Sequence, residues 1–387
     1  MVSDPTMRSC VHYQETICAG LRGEAVHWSY VNDAETYREF MQFADYHGVG
    51  ALVYYALKQS ESLSLWPAEC VDRMRTETID ETAREAIRCR EISIVLSELA
   101  NAGVSPLLLK GTPLAYFLYP EAALRHRSDT DMLIRENDRG ALSQVLARLG
   151  YVRGNGITGE LVSTQSTFSR VDRFGVCHDL DVHWRISNFH VFAAALAFQE
   201  LAQRAVPVAA LGPHARTLRP IDALILACMH RLGHRQAPYY VDGEAHYDSN
   251  RLIWLYDIHL LAQSLAVEQW EEFARVAMAK QLQQLCLDGL NAAKRAFGTS
   301  IPAFVEDFFI HAPKGEVLNV SRFYLSRWRW ELSELGALPT WKLRLKLLQE
   351  HLAPSPAYLL EKYELKDRRW LPLFYVGRAL AGVWKRL

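Results

Sequence analysis

The stretch Pro106–Ile134, PLLLKGTPLAYFLYPEAALRHRSDTDMLI, decides the fold of this chain. Its apolar run Leu107–Leu109 predicts a buried strand, which ends at Lys110–Thr112. Pro113 is well placed to open a helix there, because its fixed φ suits the first helical turn. The chain then returns through RHRSDTDMLI, and Met132–Ile134 predict the interior half of a second strand.

Polar residues alternate along this second strand and along a later one. Since successive side chains of a strand point to opposite faces, Arg127, Asp129 and Asp131 are expected to share a face. In the later segment 178–184, HDLDVHW, the same alternation places three polar side chains together, Asp179, Asp181 and His183. Facing rows of carboxylates repel each other unless a cation lies between them. A divalent ion, most simply Mg²⁺ bound with a nucleoside triphosphate, fits that role.

These motifs resemble a known group of enzymes. A strand ending in Gly-Thr, a helix, a strand with Asp-x-Asp and a later third carboxylate resemble the DNA polymerase β-type nucleotidyltransferase superfamily. The chain also resembles the bacterial group called nucleotidyltransferase family proteins in the sequence of four segments, LLLKGTPLAYFLYPE, RHRSDTDMLI, LGY and DLDVHW. The similarity is most specific over residues 105–185 and extends loosely to Leu265. Gly111-Thr112 stands where the superfamily has Gly-Ser, and the gap from Gly111 to Asp129 exceeds that of compact members.

The resemblance implies an enzyme that transfers a nucleoside monophosphate from a nucleoside triphosphate, with ATP as the expected donor and Mg²⁺ or Mn²⁺ as the metal. Asp129, Asp131 and Asp181 are then the expected metal ligands and catalytic carboxylates, with Asp179 as the alternative to Asp181. Contacts to the nucleotide are expected from six further residues: Lys110, Gly111, Thr112, Arg127, His183 and His230.

Several of these residues also have an ordinary structural interpretation. Lys110–Thr112 could hold phosphate through backbone N–H groups and a hydroxyl, or could be a plain strand-to-helix turn. Arg127 could neutralise phosphate charge, form an ion pair with Asp129 or Asp131, or do both. His230 and His234 share a helix face but lack the glutamate of a zinc protease motif, so a core role is favoured, although the resemblance suggests that His230 lies near the cleft.

Composition excludes some classes of protein. The chain has 387 residues and a net charge of −1, which disfavours a nucleic-acid partner. Its seven cysteines have no CxxC spacing, which favours reduced thiols in the cytoplasm over a disulfide framework. The N-terminus has no signal-peptide core, and the late apolar run Leu371–Trp384 contains Arg378 and is too short to span a bilayer. We therefore expect a cytoplasmic protein without a transmembrane segment.

The predicted architecture is α/β (α+β): a minimal nucleotidyltransferase core with a mixed β-sheet at residues 104–188, between helical regions at 1–103 and 189–387. The order of elements in the core suits a small sheet with helices on one face. Ala34–Gln59 predicts two helices broken near Gly48, and Cys70–Ala102 predicts one long helix ending at Gly103. Asp138 is the predicted N-cap of the helix that precedes Gly150.

Beyond the core, helices are predicted at Pro220–Arg235 and Arg251–Leu265, joined by a structureless loop interpreted as a solvated substrate lid. Four acidic or histidine residues of that loop do not match the order of a calcium-binding loop: Asp242, Glu244, His246 and Asp248. Asp257 is predicted to be buried with a partner, for which Arg251 and His230 are candidates. The basic segment 366–387 predicts either a helix packed on the body or a weak contact with an anionic membrane or an acidic partner.

The acceptor is not readable from the residues. Similar proteins look like accessory enzymes of natural-product or surface-polysaccharide loci, so a hydroxyl or phosphate of a small molecule, a sugar or a peptide is expected. Three alternatives remain: a phosphotransferase of the same fold that moves the γ-phosphoryl group, a non-catalytic nucleotide-binding or interaction module, and an RNA-modifying enzyme, which the near-neutral charge disfavours. The non-catalytic alternative gains support if Asp181 lies apart from Asp129 and Asp131.

Overall fold

The computed structural model describes residues 5–154, 161–192, 195–241, 243–311 and 320–352, with isolated positions from 356 to 377. Within these ranges the protein is a mixed α/β fold with a seven-stranded sheet and many flanking helices. None of the described helices combines the length and the apolar character that crossing a bilayer requires. Asp242 and most of the basic segment 366–387 lie outside the described residues.

The N-terminal part consists of four helices, α1 (Pro5–Leu21), α2 (Ala34–His47), α3 (Gly50–Gln59) and α4 (Ala68–Asn101). Gly48 ends α2 with φ of 69°, a left-handed conformation that glycine adopts without steric penalty. Gly103, with φ of 76°, follows α4 in the same way. The predicted break near Gly48 and the predicted long helix are therefore confirmed.

The sheet contains β1 (Leu107–Leu109), β2 (Asp129–Leu133), β3 (Val152–Arg153), β4 (Gln165–Val171), β5 (Cys177–His183), β6 (Val206–Pro207) and β7 (Arg216–Thr217). Their order is β3-β4-β5-β2-β1-β7-β6. β2 runs parallel to β5 and antiparallel to β1, which confirms the predicted mixed sheet. β6 and β7 extend the sheet with residues from beyond 188, in the region 189–387 that was predicted to be helical as a whole. The division of the chain into three domains stays a prediction.

Helices pack on both faces of the sheet, so the expectation of helices on one face is wrong. On one face Leu108, Leu180 and Trp184 pack with α4 and with α6 (Arg139–Arg148). On the other face Leu107 and Leu133 join a core built by helices from the C-terminal half. The reason is the alternation of strand side chains, which leaves apolar residues on both sides of β1 and β2.

The short helix α5 (Gly111–Phe117) connects β1 to the returning chain and begins two positions before Pro113. Asp138 does precede α6, but its side chain makes no capping hydrogen bond, because a turn of 3₁₀ helix at Glu136–Asp138 places it in a helical conformation. The capping role predicted for Asp138 is therefore wrong, although the position of the helix is right.

The C-terminal half adds further helices, among them α7 (Phe198–Arg204), α8 (Pro220–Gly233), α9 (Leu252–Ser264), α10 (Val267–Ala279), α11 (Gln283–Phe297), α12 (Ala303–Ile310), α13 (Arg327–Ala337) and α14 (Trp341–Leu352). The segment between α8 and α9 is not structureless as expected. It carries a small antiparallel hairpin of β8 (Tyr239–Val241) and β9 (Glu244–His246). Tyr239 anchors the hairpin on Tyr46 and Trp254, so aromatic packing supplies order that the polar sequence does not indicate.

Candidate active site

The register of two parallel strands brings the carboxylates together. Asp131 of β2 is paired with Asp181 of β5, and Asp129 is paired with Asp179. Because residues two apart share a strand face, these side chains form two adjacent rows on one side of the sheet. The sheet order thus creates a concentration of negative charge that neither strand would have alone.

Asp131 is the most enclosed of these carboxylates, being 5% exposed. Its Oδ1 accepts a hydrogen bond from Lys110 Nζ at 2.6 Å and lies 2.8 Å from His183 Nε2. Burial alone would raise the pKa of Asp131, but the charge of Lys110 and the contact with His183 outweigh it and lower that pKa. Asp131 is therefore held ionised at the centre of the cluster.

Asp181 is oriented by neutral side chains of β4. Thr167 Oγ1 donates to one carboxylate oxygen at 2.6 Å, and Gln165 Nε2 donates to the other at 3.2 Å. Asn188 in turn donates to Gln165 Oε1 at 2.7 Å, which fixes the amide of Gln165. Asp179 accepts from Ser169 Oγ at 2.5 Å instead. In the register of the two strands, Asp181 is the residue opposite Asp131, whereas Asp179 is opposite Asp129.

Crowding of carboxylates has an electrostatic consequence. Burial, together with the charges of Asp131 and Asp181, raises the pKa of Asp129 above its ordinary value. Burial by itself would lower the pKa of Lys110, but Asp131, Asp129 and Asp181 outweigh it and raise that pKa. Three carboxylates thus face one ammonium group, and the negative charge stays in excess.

The donor set fits a divalent metal ion. Ligand atoms of Asp131, Asp181 and His183 lie within 4.8 Å of one another, close enough to converge on one ion. Asp129 lies outside that set of ligand atoms, although its charge acts on the same lysine. Two predicted carboxylates and the predicted His183 are thus brought together, and Asp129 stands beside them.

Lys110 reaches this cluster from a strained backbone. Its φ of 55° and ψ of −133° belong to a region that residues other than glycine rarely occupy. A strained residue at the end of β1 whose side chain bonds Asp131 is typical of functional positions.

The two residues after Lys110, Gly111 and Thr112, are both buried. A Cβ on Gly111 would lie 3.2 Å from the guanidinium of Arg125, so the glycine leaves room for that side chain. Thr112 is 1% exposed, and its hydroxyl faces Asp129 O at 3.5 Å and Thr130 Oγ1 at 3.4 Å. Their predicted contacts with phosphate stay predictions.

Arg127 lies before β2 rather than within it. Its Nη2 donates to Glu85 Oε1 of α4 at 2.6 Å, so its ion pair is formed with Glu85 and not with Asp129 or Asp131 as expected. Tyr116 also donates to Glu85. The alternation argument placed Arg127 wrongly because β2 begins only at Asp129.

Arg125, which sequence reasoning missed, forms the second buried pair of this segment. Its Nε and Nη2 donate to the two carboxylate oxygens of Asp257 at 2.9 and 2.7 Å, and Tyr119 adds a hydrogen bond at 2.7 Å. Asp257 is buried and paired as predicted, but its partners are Arg125 and Tyr119 and not Arg251 or His230. The pair fastens α9 to the segment between α5 and β2, next to Gly111.

His230 lies beside Lys110, as the resemblance suggested. Both residues line a mainly apolar cavity that Leu226 and Trp254 help to enclose. His230 Nε2 lies 3.1 Å from His234 Nε2, and burial lowers the pKa of both rings, to about 4 for His234. Within the described ranges no further His, Cys, Asp or Glu completes a metal-binding group with this pair.

Comparison with known proteins identifies the family of the chain. No curated protein matches the chain significantly. A family model described as uncharacterised nucleotidyltransferase matches residues 33–298, which include the carboxylate strands, Lys110 and both paired arginines. The match covers well over half of the chain. The protein therefore belongs to this uncharacterised family of nucleotidyltransferases.

Proposed function

We propose that the protein transfers a nucleoside monophosphate from a nucleoside triphosphate, with ATP as the donor, to a hydroxyl or phosphate of a small molecule, sugar or peptide, and releases pyrophosphate. The observation that carries this proposal is the parallel register of Asp129 and Asp131 with Asp179 and Asp181 beside Lys110. Membership of a nucleotidyltransferase family supports the reaction class. The adjacency of Asp181 and Asp131 also counts against a non-catalytic module, since a mere scaffold has no need of crowded carboxylates.

Asp131 and Asp181, with Asp129 beside them, would hold a divalent ion. Such an ion, when bound, neutralises charge on the triphosphate and polarises the acceptor oxygen. The chain itself supplies positioning: Thr167 and Gln165 fix both oxygens of Asp181, so its orientation is set before substrate arrives.

Lys110 supplies a permanent positive charge at the same place. Its ammonium lies 2.6 Å from Asp131 and has three donors, of which one is used there. The remaining donors suit the non-bridging oxygens of a phosphate, where charge accumulates during transfer. His230 lines the neighbouring cavity together with Lys110 and, being neutral, can donate or accept one hydrogen bond without adding charge.

Labelled ATP tests the proposal and separates it from phosphoryl transfer. Wild-type protein, Mg²⁺ or Mn²⁺ and a panel of sugars and hydroxyl-bearing peptides are incubated with ATP labelled at either the α- or the γ-phosphate. Label from the α-phosphate on the acceptor, with pyrophosphate released, is the expected result. Label from the γ-phosphate, with ADP released, would replace the proposal by a phosphotransferase.

Two matched variants locate the chemistry. Asp131→Asn is expected to lower the transfer rate about 10³-fold or more, the scale of losing a central electrostatic group, in a protein that keeps the circular dichroism spectrum of folded wild type in EDTA. Asp179→Asn, an equal change on the neighbouring row, is expected to retain most of the activity because Ser169 and not the cluster binds that carboxylate. Full activity in Asp131→Asn would refute the assignment.

A further inference from the structure

His183 differs from the other residues around Asp131 in what it contacts. It is 4% exposed, and its Nε2 lies 2.8 Å from Asp131 Oδ1. Its Nδ1 is also buried, and no hydrogen-bond partner for it is found in the described part of the chain. The only polar partner of this imidazole among those residues is thus a carboxylate of the cluster.

A purely structural explanation of His183 is weak. Asp131 Oδ1 already accepts a charged hydrogen bond from Lys110, so the histidine adds a second donor to one oxygen. A buried ring nitrogen without a partner loses its hydrogen bond to water and destabilises the folded state. His183 therefore acts on the charge of Asp131 at the cost of an unsatisfied ring nitrogen, which points to a role in binding a ligand at the cluster.

The position of His183 completes a set of ligands. It follows Asp181 by two residues on β5, so both side chains share a face, and both lie next to Asp131. Ligand atoms of these three residues are mutually within 4.8 Å. Two carboxylates and one imidazole therefore lie close enough to bind a single metal ion.

Such a set discriminates between metals. Mg²⁺ binds oxygen ligands and keeps several waters, whereas imidazole nitrogen suits first-row transition metals. We propose that His183 is a direct nitrogen ligand in a site completed by Asp131 and Asp181, which makes the protein prefer a first-row transition-metal dication over Mg²⁺. This inference rests on the proposed function, since it names the metal of the same site.

Mn²⁺ is the probe, because it is paramagnetic and can occupy sites built for either class. Full-length protein is loaded with Mn²⁺ without nucleotide, and pulsed electron paramagnetic resonance detects a directly bound nitrogen through its coupling to the electron spin. We expect this coupling in wild type and its loss in His183→Gln, with His183→Asn as a second variant should the first fail to fold. His178→Gln is the matched control: His178 is equally buried on β5 but bonds Asp172 on the opposite face.

Competition between metals gives a second readout. The ratio of the Mg²⁺ to the Mn²⁺ dissociation constant is expected to fall about 10-fold or more in His183→Gln and to stay unchanged in His178→Gln. Bound Mn²⁺ without nitrogen coupling in wild type, an unchanged ratio in His183→Gln, or no Mn²⁺ binding would each overturn the proposal.

The two proposals fail separately. Nitrogen-coupled Mn²⁺ in a protein that transfers no label from α-labelled ATP would refute the proposed function and leave the ligand assignment standing. Transfer of that label by a protein whose bound Mn²⁺ shows no nitrogen coupling would do the reverse, and His183 would then be a residue that positions Asp131.

Discussion

The segment from Arg125 to Asp131 contains two groups of buried charges, which differ in how many groups of opposite charge they face. Arg125 pairs with Asp257 of α9, and Arg127 pairs with Glu85 of α4, so each cation has its own carboxylate. A few residues later Asp129 and Asp131, with Asp181, share a single lysine. Paired charges fasten helices to the sheet, whereas excess charge of one sign leaves a place for a ligand. We propose that this difference distinguishes the residues that stabilise the fold from those that bind the ligand.

Breaking a structural pair is expected to have the largest effect. Asp257→Asn leaves Arg125 buried without a carboxylate, and we expect the free energy of unfolding to fall by about 3–5 kcal/mol. Urea denaturation followed by circular dichroism measures this. Glu77→Gln is the control, because it breaks the solvent-exposed pair with Arg73 and should lower stability by less than about 1 kcal/mol. Similar losses in both variants would remove the distinction between buried and exposed pairs.

Low pH tests a second buried group, His47, which the folded protein keeps uncharged. His47 is buried next to Arg251, and its Nδ1 accepts a hydrogen bond from Leu252 N at 3.1 Å. Burial and the charge of Arg251 lower the pKa of His47 to about 3. The unfolded chain therefore binds a proton before the folded one does, and stability is lost as pH falls below the ordinary histidine value.

We expect about 2 kcal/mol of unfolding free energy to be lost through His47 between pH 6.5 and pH 5. Urea denaturation across that range should show a shallower dependence in His47→Gln. Substituting the exposed His27 in the same way should leave the dependence as in wild type. A wild-type slope in His47→Gln would assign the acid sensitivity to another group.

Sequence periodicity predicted the row of charges well, because alternation is a local property. It placed Asp129 with Asp131 on one strand face and Asp181 with His183 on another. The resemblance to a known family brought the two strands together in one site, and they are neighbours in the sheet. The long helix and the break at Gly48 also follow from local signals, namely helical spacing and a glycine at a helix end.

Residues that depend on distant contacts were not predictable in this way. Arg125 and Arg127 carry no sign in the sequence of which carboxylate each will meet, since Asp257 and Glu85 come from helices on opposite sides of the core. Thr167 became a partner of Asp181 only through the register of β4 with β5. β6 and β7, with two residues each, are too short to show any alternation.

The strained backbone of Lys110 allows a test of the lysine that faces the carboxylates. Lys110→Ala and Lys110→Gly both remove the ammonium group, but only glycine adopts φ of 55° and ψ of −133° freely. We expect Lys110→Gly to be more stable than Lys110→Ala by about 1–2 kcal/mol in urea denaturation, while both lose transfer activity. The same pair of substitutions at the exposed Gln144, in the interior of α6, should give the opposite order, because glycine destabilises the interior of a helix. Equal stability of the two Lys110 variants would show that the backbone relaxes without strain.

The smallest expected effect concerns Asp129 and has the opposite sign to that of Asp257. Because burial and the neighbouring carboxylates raise the pKa of Asp129, the folded protein holds this proton to higher pH than the unfolded chain, so ionisation destabilises the fold as pH rises. In EDTA at pH 8 we expect Asp129→Asn to raise the free energy of unfolding by about 1 kcal/mol, with reduced transfer activity. Asp72→Asn, on the exposed face of α4, should change neither quantity.

Bound metal is expected to reverse the order of stability of wild type and Asp129→Asn. A cation bound among the carboxylates removes the repulsion that the substitution relieves, and it binds the more negative wild-type cluster more tightly. Melting temperatures measured with increasing Mn²⁺ should therefore rise faster for wild type than for Asp129→Asn and cross it. Parallel curves would mean that the charge of Asp129 is not used to hold the metal, and the excess of carboxylates over lysine would then need another explanation. A crossing would show that the folded state is destabilised here by the same charge that binds its ligand.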